Sequence, residues 1–289
     1  MKIGLIGFNI GTGSAQEAIG AAQAAEAAGV ESIWTFEHVM VPLAYRSRYP
    51  YAADGKMAVT PETIMIDPLI ALSAVAAATT TIRLGTGVNI LPQVNPLLLA
   101  KQVASLDFMS NGRMMLGVGL GWLEEEFDAM GVPFAGRGRR NDDYIEAMRK
   151  VWSGEVVEHE SEHLSWHGFK SHPMPVQSPL PIIIGGSKGK AFERIAKYAQ
   201  GWYAPIASAD QLKQEMVHLA KTCEAHGRDP SEIEVSTLWI PQMEADQIHT
   251  YEEMGVDRLI VPMAALSGMG DNMVDQIRRF GDEIMGSIS

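Results

Sequence analysis

The stretch from Leu84 to Trp122 constrains the fold of this chain more than any other part of its sequence. It begins as an apolar strand that runs into two glycines. A helix follows from Asn95-Pro96, because asparagine caps helix N-termini well and proline tolerates the first helical position. The helix stops at Asn111-Gly112, and Arg113 to Val118 then forms a second buried strand that also ends in glycines. This order predicts a βαβ unit with small residues at the carboxyl ends of both strands, where parallel α/β folds bind ligands. Glycines at strand ends can also simply turn the chain.

The same alternation of strands and helices extends along the whole chain. Alternating β and α segments predict a parallel sheet, and eight such units predict a closed (β/α)8 TIM barrel, which we interpret as one domain over residues 1–289. Glycines and prolines in segment 153–179 interrupt the alternation and favour a hairpin or loop insertion. A helix is expected from Ala245 to Met254. The eight predicted strands are Lys2–Phe8, Ser32–Phe36, the strand that begins at Leu84, Arg113–Val118, Pro181–Ile184, Trp202–Pro205, Glu232–Ile240 and Arg258–Pro262.

The composition argues against several classes of function. The chain has 23 basic and 35 acidic residues, and this net charge of −12 disfavours sequence-independent binding to nucleic acid or to acidic membranes. A local site for an anionic cofactor remains compatible with it. There is no apolar run of about 20 residues, so no membrane-spanning helix is predicted. The single cysteine, Cys223, rules out a disulfide or a thiolate metal site within the chain. The first residues resemble a strand rather than a signal peptide, and we expect a cytoplasmic location.

The helix predicted after Asp67 is apolar on nearly all of its faces. Such a helix cannot turn any side to water, so it packs either beneath other helices or against another subunit. The segment Pro68 to Ala78 therefore leads to the hypothesis that the protein is a homodimer.

Glu37 and His38 follow the second predicted strand directly. Both residues should therefore lie on the carboxyl-end rim of the barrel, where active sites of this architecture are found. A histidine beside a carboxylate can donate or accept a proton near neutral pH, which makes this pair the candidate catalytic residues. The alternative is a histidine that merely holds the following loop.

The connection from Glu37 to Ile66 is too long for an ordinary loop, and such connections are usually functional or disordered. Its tyrosines and arginines favour a lid or the wall of a pocket. Two tryptophans elsewhere in the chain lie close to predicted strand ends, although aromatic side chains more often belong to a core. The candidate substrate-pocket residues are Tyr45, Arg48, Trp122 and Trp202.

A second glycine motif, Gly185-Gly186-Ser187-Lys188, lies between a predicted strand and a helix start. Free backbone N–H groups, the helix dipole and the lysine would together suit a phosphate group. Loops of this kind also occur as simple turns. The usual phosphate site of α/β barrels lies in such a strand-to-helix loop, which favours phosphate binding.

Four histidines in the insertion suggest a metal site as a further possibility. If the segment is a hairpin, His159, His163 and His167 share one face but spread along it, and His172 lies beyond. No carboxylate constellation is evident nearby, so we predict no metal site. The alternative is polar hairpin histidines without a ligand.

Taken together, the motifs resemble those of the luciferase-like family of flavin and deazaflavin oxidoreductases, in particular the branch that uses the deazaflavin coenzyme F420. The resemblance runs from Lys2 to Pro205 and is weaker towards the carboxyl terminus. The segments that carry it are Ile33–Val39, Tyr49-Pro50-Tyr51 with Asp54-Gly55, Leu84–Val88, Asn95-Pro96, Leu106-Asp107, Gly112-Arg113, Gly117–Trp122 with Glu126-Phe127, and Gly185–Ser187.

This resemblance implies a barrel with an insertion and a cofactor lying across the strand ends. The Gly87–Val88 bond is then expected to be a non-prolyl cis peptide, forming a bulge behind the ring of the cofactor. His38 would be the acid or base beside the reacting centre. Glu37 replaces the aspartate that is usual in the family, which puts its contact with the cofactor in question. The residues expected to bind the cofactor are Glu37, Gly87, Val88, Asn89, Gly119, Gly121, Gly185, Gly186 and Ser187, with the last three at the phosphate.

These observations and the resemblance predict an enzyme that transfers a hydride between coenzyme F420 and a small organic substrate. Within the same fold, the alternative is an FMN-dependent monooxygenase that uses O2. A metal-dependent barrel hydrolase would use the insertion histidines. A non-catalytic role in cofactor storage is a further possibility. The substrate and the direction of hydride transfer do not follow from the sequence.

Overall fold

The computed structural model describes residues 1–206, 208–241 and 246–286. Within these ranges, eight parallel strands form a ring that closes where the third and fourth of them pair, which confirms the predicted (β/α)8 TIM barrel. The strands are β1 (Lys2–Ile6), β2 (Ser32–Thr35), β3 (Arg83–Thr86), β4 (Asn89–Ile90), β5 (Met114–Gly119), β6 (Val157–Glu160), β7 (Ser165–Phe169), β8 (Ile182–Gly185), β9 (Gly201–Ala204), β10 (Glu234–Leu238) and β11 (Arg258–Pro262). Of these, β4, β6 and β7 lie outside the ring of eight described strands.

Helices follow the barrel strands as the alternating pattern predicts. The side chains of Asp67 and Asn95 cap two of them by accepting hydrogen bonds from backbone N–H groups. The fifth helix begins before Asn141, where the sequence suggested its start, and the predicted first residue of the eighth, Ala245, lies outside the described residues. The helices are α1 (Ala15–Ala27), α2 (Pro68–Ala78), α3 (Pro96–Met109), α4 (Glu124–Ala129), α5 (Arg137–Val151), α6 (Ala191–Tyr198), α7 (Ala209–Ala225), α8 (Asp246–Glu253) and α9 (Met273–Phe280).

The barrel interior is filled by its own cluster of side chains. Trp34 lies beside Ile6 on one side, and on the other it faces Gly85, where any Cβ would overlap the indole ring. Towards the carboxyl ends of the strands, Phe36 and Val88 pack on this cluster. The buried interior residues are Ile6, Trp34, Met115, Ile183, Tyr203 and Ile260.

The amino end of the barrel is closed by a buried arginine. Arg258 is 0% exposed, and its Nε and Nη2 donate hydrogen bonds to the two carboxylate oxygens of Glu31 at 2.7 and 2.8 Å. It also pairs with Glu234 and donates to Ser236. This charged cluster leaves the opposite, carboxyl end of the barrel for ligand binding.

The insertion contains the predicted hairpin, formed by the antiparallel pair β6 and β7. Its register places Trp166 opposite His159, and the two rings stack 4.9 Å apart in the interior. The next residue, His167, faces outwards and is mostly exposed. The expectation that His159 and His167 share one face is therefore wrong, because the hairpin places a tryptophan at the matching position and strand residues alternate.

Helix α2 packs beside α1 and α3, but part of its apolar surface stays uncovered in the single chain. Leu72 and Val75 are buried, whereas Ile70 is 68% exposed. One face of the helix thus packs beneath its neighbours, whereas packing against another subunit stays a prediction for the uncovered face. In the part of the chain that the structure describes, every helix is too short or too polar to cross a membrane.

Candidate active site

The third barrel strand is interrupted at the carboxyl-end rim by a bulge. β3 ends at Thr86, the Gly87–Val88 peptide bond is cis, and the chain then resumes as β4, which pairs with β5. The cis bond confirms the expectation drawn from the family resemblance. The Val88 side chain is partly buried and packs on top of the cluster that fills the barrel.

Glycines on two neighbouring strands make room for Val88. A Cβ on Gly119 would lie 2.5 Å from Val88 Cγ2, and a Cβ on Gly185 would lie 2.9 Å from Val88 Cγ1. A Cβ on Gly117 would overlap the backbone carbonyl oxygen of Thr86. The glycines at the carboxyl ends of β5 and β8 are therefore required for packing the bulge.

His38 lies at the same rim and is held by a carboxylate from α4, the helix after β5. Its Nδ1 is 2.8 Å from Glu126 Oε2, and the two side chains are 14% and 3% exposed. The other carboxylate oxygen of Glu126 accepts hydrogen bonds from the backbone N–H groups of Val39 and Met40, at 2.6 and 3.3 Å. One buried side chain thus fixes both the histidine and the chain that follows it.

Glu37 faces away from the barrel axis, although it precedes His38 directly. Its carboxylate accepts hydrogen bonds from Asn89 Nδ2 at 2.9 Å and from the backbone N–H of Ile90, the two residues of β4. It borders a cavity of about 110 Å³ near the N-termini of α2 and α3. Burial raises the pKa of Glu37 to about 7, and the charges of Asp67 and Glu126 act in the same direction. Glu37 therefore supports the strand behind the bulge.

The long loop after β2 supplies an aromatic wall over the rim. Trp122 contacts His38, Tyr45 and Tyr49 edge to face, with ring centroids 6.1, 5.6 and 5.2 Å apart. Tyr49 in turn contacts Tyr51, whose hydroxyl approaches Gly186. The wall thus extends from the histidine towards the glycine motif after β8, as the predicted pocket wall requires.

Two predicted pocket residues are not brought to this wall. Arg48 is exposed, and its guanidinium donates a hydrogen bond to the carbonyl oxygen of Ala53 in its own loop at 3.4 Å. Trp202 is 0% exposed because its ring packs against Phe192 of α6, and its Nε1 donates to the Gly186 carbonyl oxygen at 2.8 Å. Trp202 therefore lies on the outer side of β9, and it positions the glycine loop.

The glycine motif after β8 turns the chain towards the start of α6. Gly186 has a φ of +95°, which strongly favours glycine, and its N–H donates to the Tyr203 carbonyl oxygen at 3.1 Å. Lys190 occupies the N-cap of α6 and makes no side-chain capping hydrogen bond. The Ala191 N–H donates to the Lys188 carbonyl oxygen at 3.2 Å, which leaves the next N–H groups in the first turn of α6 for an external acceptor, with Ser187 close by in the loop.

Two other predicted cofactor residues support the bulge from behind. Asn89 is 3% exposed, and its Oδ1 has no hydrogen-bond partner among the described residues. Gly121 has a φ of +75°, and a Cβ there would meet the ring of Phe127 and the side chain of Ile90 at less than 3 Å. Asn89 belongs to the strand that follows the cis bond, and Gly121 packs against that strand.

Two residues of the site were not predicted to have a role. Glu126 appeared in the sequence only as part of a motif, and its contact with His38 joins residues 88 positions apart. Asn9 is fully buried and holds both ends of the long loop, since its Nδ2 donates to the carbonyl oxygens of Phe36 and Ile66 and its Oδ1 accepts from the Phe36 N–H. The acidic run Glu124–Glu126 after Trp122 was the available signal for the first of them.

The insertion histidines do not assemble a metal site in the residues that the structure describes, where no group of three or more His, Cys, Asp or Glu side chains could hold an ion. His159 Nε2 instead lies 2.6 Å from Asp143 Oδ1, and Ser161 donates to the other oxygen of that carboxylate. The histidine thus ties the hairpin to α5.

The rim as a whole fits a flat ligand that carries an anionic tail. The bulge presents Val88 as an apolar surface, the aromatic wall lies beside His38, and the start of α6 has no side-chain cap on its backbone donors. His38 supplies a group that can exchange a proton. The residues present are therefore compatible with a flavin or deazaflavin cofactor.

Comparison with known proteins gives relatives over much or all of the chain. An uncharacterised protein of Mycobacterium tuberculosis is 33% identical over 249 residues, covering 86% of this chain and 85% of that protein. The F420-dependent hydroxymycolic acid dehydrogenase of the same organism is 28% identical over 73% of this chain and 54% of its own length. The oxygenase component of a flavin-dependent trigonelline monooxygenase from Acinetobacter baylyi is 30% identical over 58% of this chain and 41% of its own length.

Solved structures with the same fold include both oxygenases and F420 enzymes. The monooxygenase RslO1 from Streptomyces bottropensis matches all of this chain and all of its own with a TM-score of 0.74 and 22% identity. The coenzyme F420-dependent tetrahydromethanopterin reductase from Methanopyrus kandleri matches with a TM-score of 0.76 and 16% identity, covering 100% of this chain and 99% of that one. At these identities the likeness establishes the fold. The model of the luciferase-like monooxygenase family matches residues 6–265. The chain is therefore a member of that family of F420- or flavin-dependent oxidoreductases and monooxygenases.

Proposed function

We propose that this protein is an oxidoreductase that transfers a hydride between coenzyme F420 and a small organic substrate. The observation that carries the proposal is His38, which is fixed at Nδ1 by Glu126 and borders the barrel mouth beside Trp122. The F420-dependent dehydrogenase that aligns with 73% of this chain supports the choice of cofactor.

In this proposal the bulge and the glycine motif divide the binding of the cofactor between them. The ring would rest against the Gly87–Val88 bulge, which Glu37, Asn89, Gly119 and Gly121 hold in place from behind and from the sides. Gly185, Gly186 and Ser187 would bind the phosphate together with the N–H groups that follow Ala191 in the first turn of α6. Tyr45 and Trp122 would border the substrate, and Arg48 at the edge of the loop would approach only a substrate that extends outwards.

The chain itself would supply position and a proton, whereas the bound cofactor supplies the hydride acceptor or donor. In the oxidation of an alcohol, the carbon gives up a hydride and His38 accepts the hydroxyl proton, leaving a carbonyl compound. In the reverse direction His38 donates the proton to the oxygen as the carbon gains the hydride. The aromatic wall would limit access of water to this site.

Binding and turnover measurements with each cofactor test the proposal. Purified protein is titrated separately with F420 and with FMN while the absorbance and fluorescence of the ring are followed. A panel of small alcohols and the corresponding carbonyl compounds is then assayed for a change in the oxidation state of F420. We expect F420 to bind and to be turned over by wild-type protein but not by His38→Ala. Binding of FMN alone, with oxygen consumption, would overturn the assignment.

The second candidate is an FMN-dependent monooxygenase that uses O2. The observation that favours it is the similarity to the oxygenase component of the flavin-dependent trigonelline monooxygenase, which is 30% identical over 58% of this chain. The same titration separates the two candidates, because an oxygenase would consume O2 with reduced FMN.

We also propose that the protein is a homodimer. At the carboxyl-end side, Ile64, Ile70 and Leu98 are 57%, 68% and 59% exposed, and the last two belong to the adjacent helices α2 and α3. Burying these side chains against a second copy would remove an apolar surface from water. Light scattering should give twice the mass of the chain, and Ile70→Lys should give the monomer mass; a monomeric wild type would refute this.

A cytoplasmic location remains part of the proposal. It is supported by the single cysteine, Cys223, which is fully buried as a free thiol in α7 and therefore needs no oxidising compartment. Cell fractionation of the native host would test it, since recovery from another compartment would contradict it.

A further inference from the structure

We propose that Glu126 is a positioning residue that holds neutral His38 as the Nδ1–H tautomer, so that Nε2 faces the substrate as a proton acceptor. This inference deepens the proposed function and assigns a role to a residue that is outside the predicted cofactor and pocket set. It follows from the way in which the two oxygens of one buried carboxylate are used.

Each oxygen of Glu126 has a different and defined partner. Oε1 accepts two backbone N–H groups, those of Val39 and Met40, and Oε2 lies 2.8 Å from His38 Nδ1. An ionised carboxylate has no proton to donate, so opposite ionised Glu126 the proton between Oε2 and Nδ1 belongs to the imidazole. The structure shows no Lys or Arg ion pair with Glu126 among the described residues, which leaves His38 as its charged or polar partner.

The free side of the ring is the side that can reach a ligand. In residues 1–206, 208–241 and 246–286, Nε2 of His38 has no hydrogen-bond partner, and the side chain keeps 14% of its exposure. The edge contact with Trp122, at an angle of 85° between the rings, further restricts rotation of the imidazole. With the proton fixed on Nδ1, the lone pair of Nε2 is the group available to take a hydroxyl proton.

An isosteric substitution should reverse this arrangement. In Glu126→Gln, the amide oxygen must stay with the N–H groups of Val39 and Met40, because an NH2 group there would oppose two donors. The amide NH2 then faces His38 Nδ1, which can accept a bond only if the proton moves to Nε2. The variant keeps the volume and the loop contacts of the wild type but presents a donor to the substrate.

The neighbouring residue offers a matched control. Glu125 lies in the same first turn of α4, and its Oε1 accepts hydrogen bonds from the backbone N–H groups of Arg46 and Ser47 at 2.6 and 3.3 Å. Glu125→Gln retains that acceptor and removes the same charge, yet its side chain makes no contact with His38. A general effect of lost negative charge at this helix would appear in both variants.

The tautomer can be measured without any turnover. Protein containing ¹⁵N-labelled histidine is examined by two-bond ¹H–¹⁵N NMR at a pH at which the ring is neutral, and the His38 signals are assigned by their loss in His38→Gln. We expect the Nδ1–H pattern in wild type and in Glu125→Gln, and the Nε2–H pattern in Glu126→Gln. An Nε2–H pattern in wild type, or an unchanged pattern in Glu126→Gln, would overturn the proposal.

Kinetics then test whether the tautomer matters for the reaction. With F420 and an alcohol substrate, Glu126→Gln should lower kcat by about 100-fold or more, within the range typical of a misplaced general base, while the affinity for F420 stays within about threefold. Glu125→Gln should match wild type. A reversed tautomer with undiminished kcat would refute the positioning role. Failure of F420 to bind would instead refute the proposed function, and the NMR result would still decide the tautomer.

Discussion

The packing of Val88 against Gly119 allows a quantitative test of the bulge at the barrel mouth. A Cβ at position 119 would lie 2.5 Å from Val88 Cγ2, whereas carbon atoms pack at about 3.5–4.0 Å, so Gly119→Ala requires a displacement of about 1 Å. The φ of Gly119 lies outside the left-handed region that favours glycine, so alanine is allowed by the backbone. We expect the overlap to lower the free energy of unfolding by about 1–3 kcal/mol, as overpacking usually does.

Truncating the neighbour should remove this penalty. Val88→Ala alone loses two methyl groups from a partly buried site, which should cost about 1 kcal/mol. In the double variant the overlap disappears, so Gly119→Ala should add little to the cost of Val88→Ala. The coupling energy in the double-mutant cycle should therefore be favourable by about 1–3 kcal/mol, the full cost of Gly119→Ala alone.

A second glycine on the same strand should respond differently. A Cβ on Gly117 would overlap the carbonyl oxygen of Thr86, which is backbone and cannot be truncated. Gly117→Ala should thus cost about 3 kcal/mol or more, and Val88→Ala should not restore the loss. Gly268→Ala serves as the control, because a Cβ there meets no atom within 4 Å, and its effect should lie within about 0.5 kcal/mol of zero.

Urea unfolding followed by tryptophan fluorescence measures all of these variants under one condition. Each kcal/mol should also appear as a shift of about 2–4 °C in Tm for a chain of this size. If Gly119→Ala were as stable as wild type, or if Val88→Ala failed to rescue it while the fold was retained, Val88 would not occupy the space assigned to it and the argument for the bulge would be wrong.

Three further perturbations have expected outcomes. Burial raises the pKa of Glu37 to about 7 from an ordinary 4.5, so the folded protein retains a proton that the unfolded chain releases between these values. The free energy of unfolding of the wild type therefore falls as pH rises through that window. In urea unfolding, the stability of Glu37→Gln relative to wild type should rise by about 1–3 kcal/mol from pH 5 to pH 8. An equal difference at both pH values would contradict this. Arg258→Ala removes the ion pair of Glu31 and leaves Glu234 paired with Lys2 at the closed end of the barrel, and it should cost about 3–5 kcal/mol by the same assay. A loss below about 1 kcal/mol would refute the importance of Arg258. Gly186→Ala, at a φ of +95°, should weaken F420 binding by at least about tenfold in fluorescence titration. Gly227→Ala, at a φ of +70° after α7, serves as the control: it should lose about as much stability as Gly186→Ala but bind F420 unchanged. Equal effects of the two substitutions on binding would contradict a local role for Gly186.

The alternation of the sequence was sufficient to predict the barrel, and the family resemblance was needed to predict the cis bond. Period-two alternation could also have assigned two of the side chains correctly. Trp34 and Phe36 point into the barrel, so Glu37 must point outwards, and Tyr203 points inwards, so Trp202 must point towards α6. The sequence prediction used only the closeness of Glu37 and Trp202 to strand ends. It ignored the face of the strand that each side chain occupies and therefore placed both at the rim.

The sequence did not predict which side chains of the connections at the rim contact each other. The bond between His38 and Glu126 joins two connections that follow non-adjacent strands of the ring, and its existence depends on how each loop folds over the barrel. Arg48 illustrates the same limit, because its guanidinium bonds to its own loop rather than to the mouth. Local sequence patterns specify strands and helix caps, whereas the pairing of rim side chains depends on tertiary structure.

Glu37 precedes His38 in the sequence, and Glu126 contacts it in space. The surroundings of these two carboxylates give them different roles. Glu126 accepts hydrogen bonds at both oxygens and touches the imidazole, so it orients the ring. Burial raises the pKa of Glu37 to about 7, and its carboxylate bonds only to β4. Near neutral pH this side chain is therefore partly protonated and adds little negative charge to the mouth. Because Asn89 Oδ1 lacks a partner among the described residues, a rotated Asn89 amide could accept the proton of neutral Glu37. Protonation at position 37 would thus tighten the support behind the bulge without altering the proton on His38, which separates the stability of the cofactor platform from the chemistry in front of it.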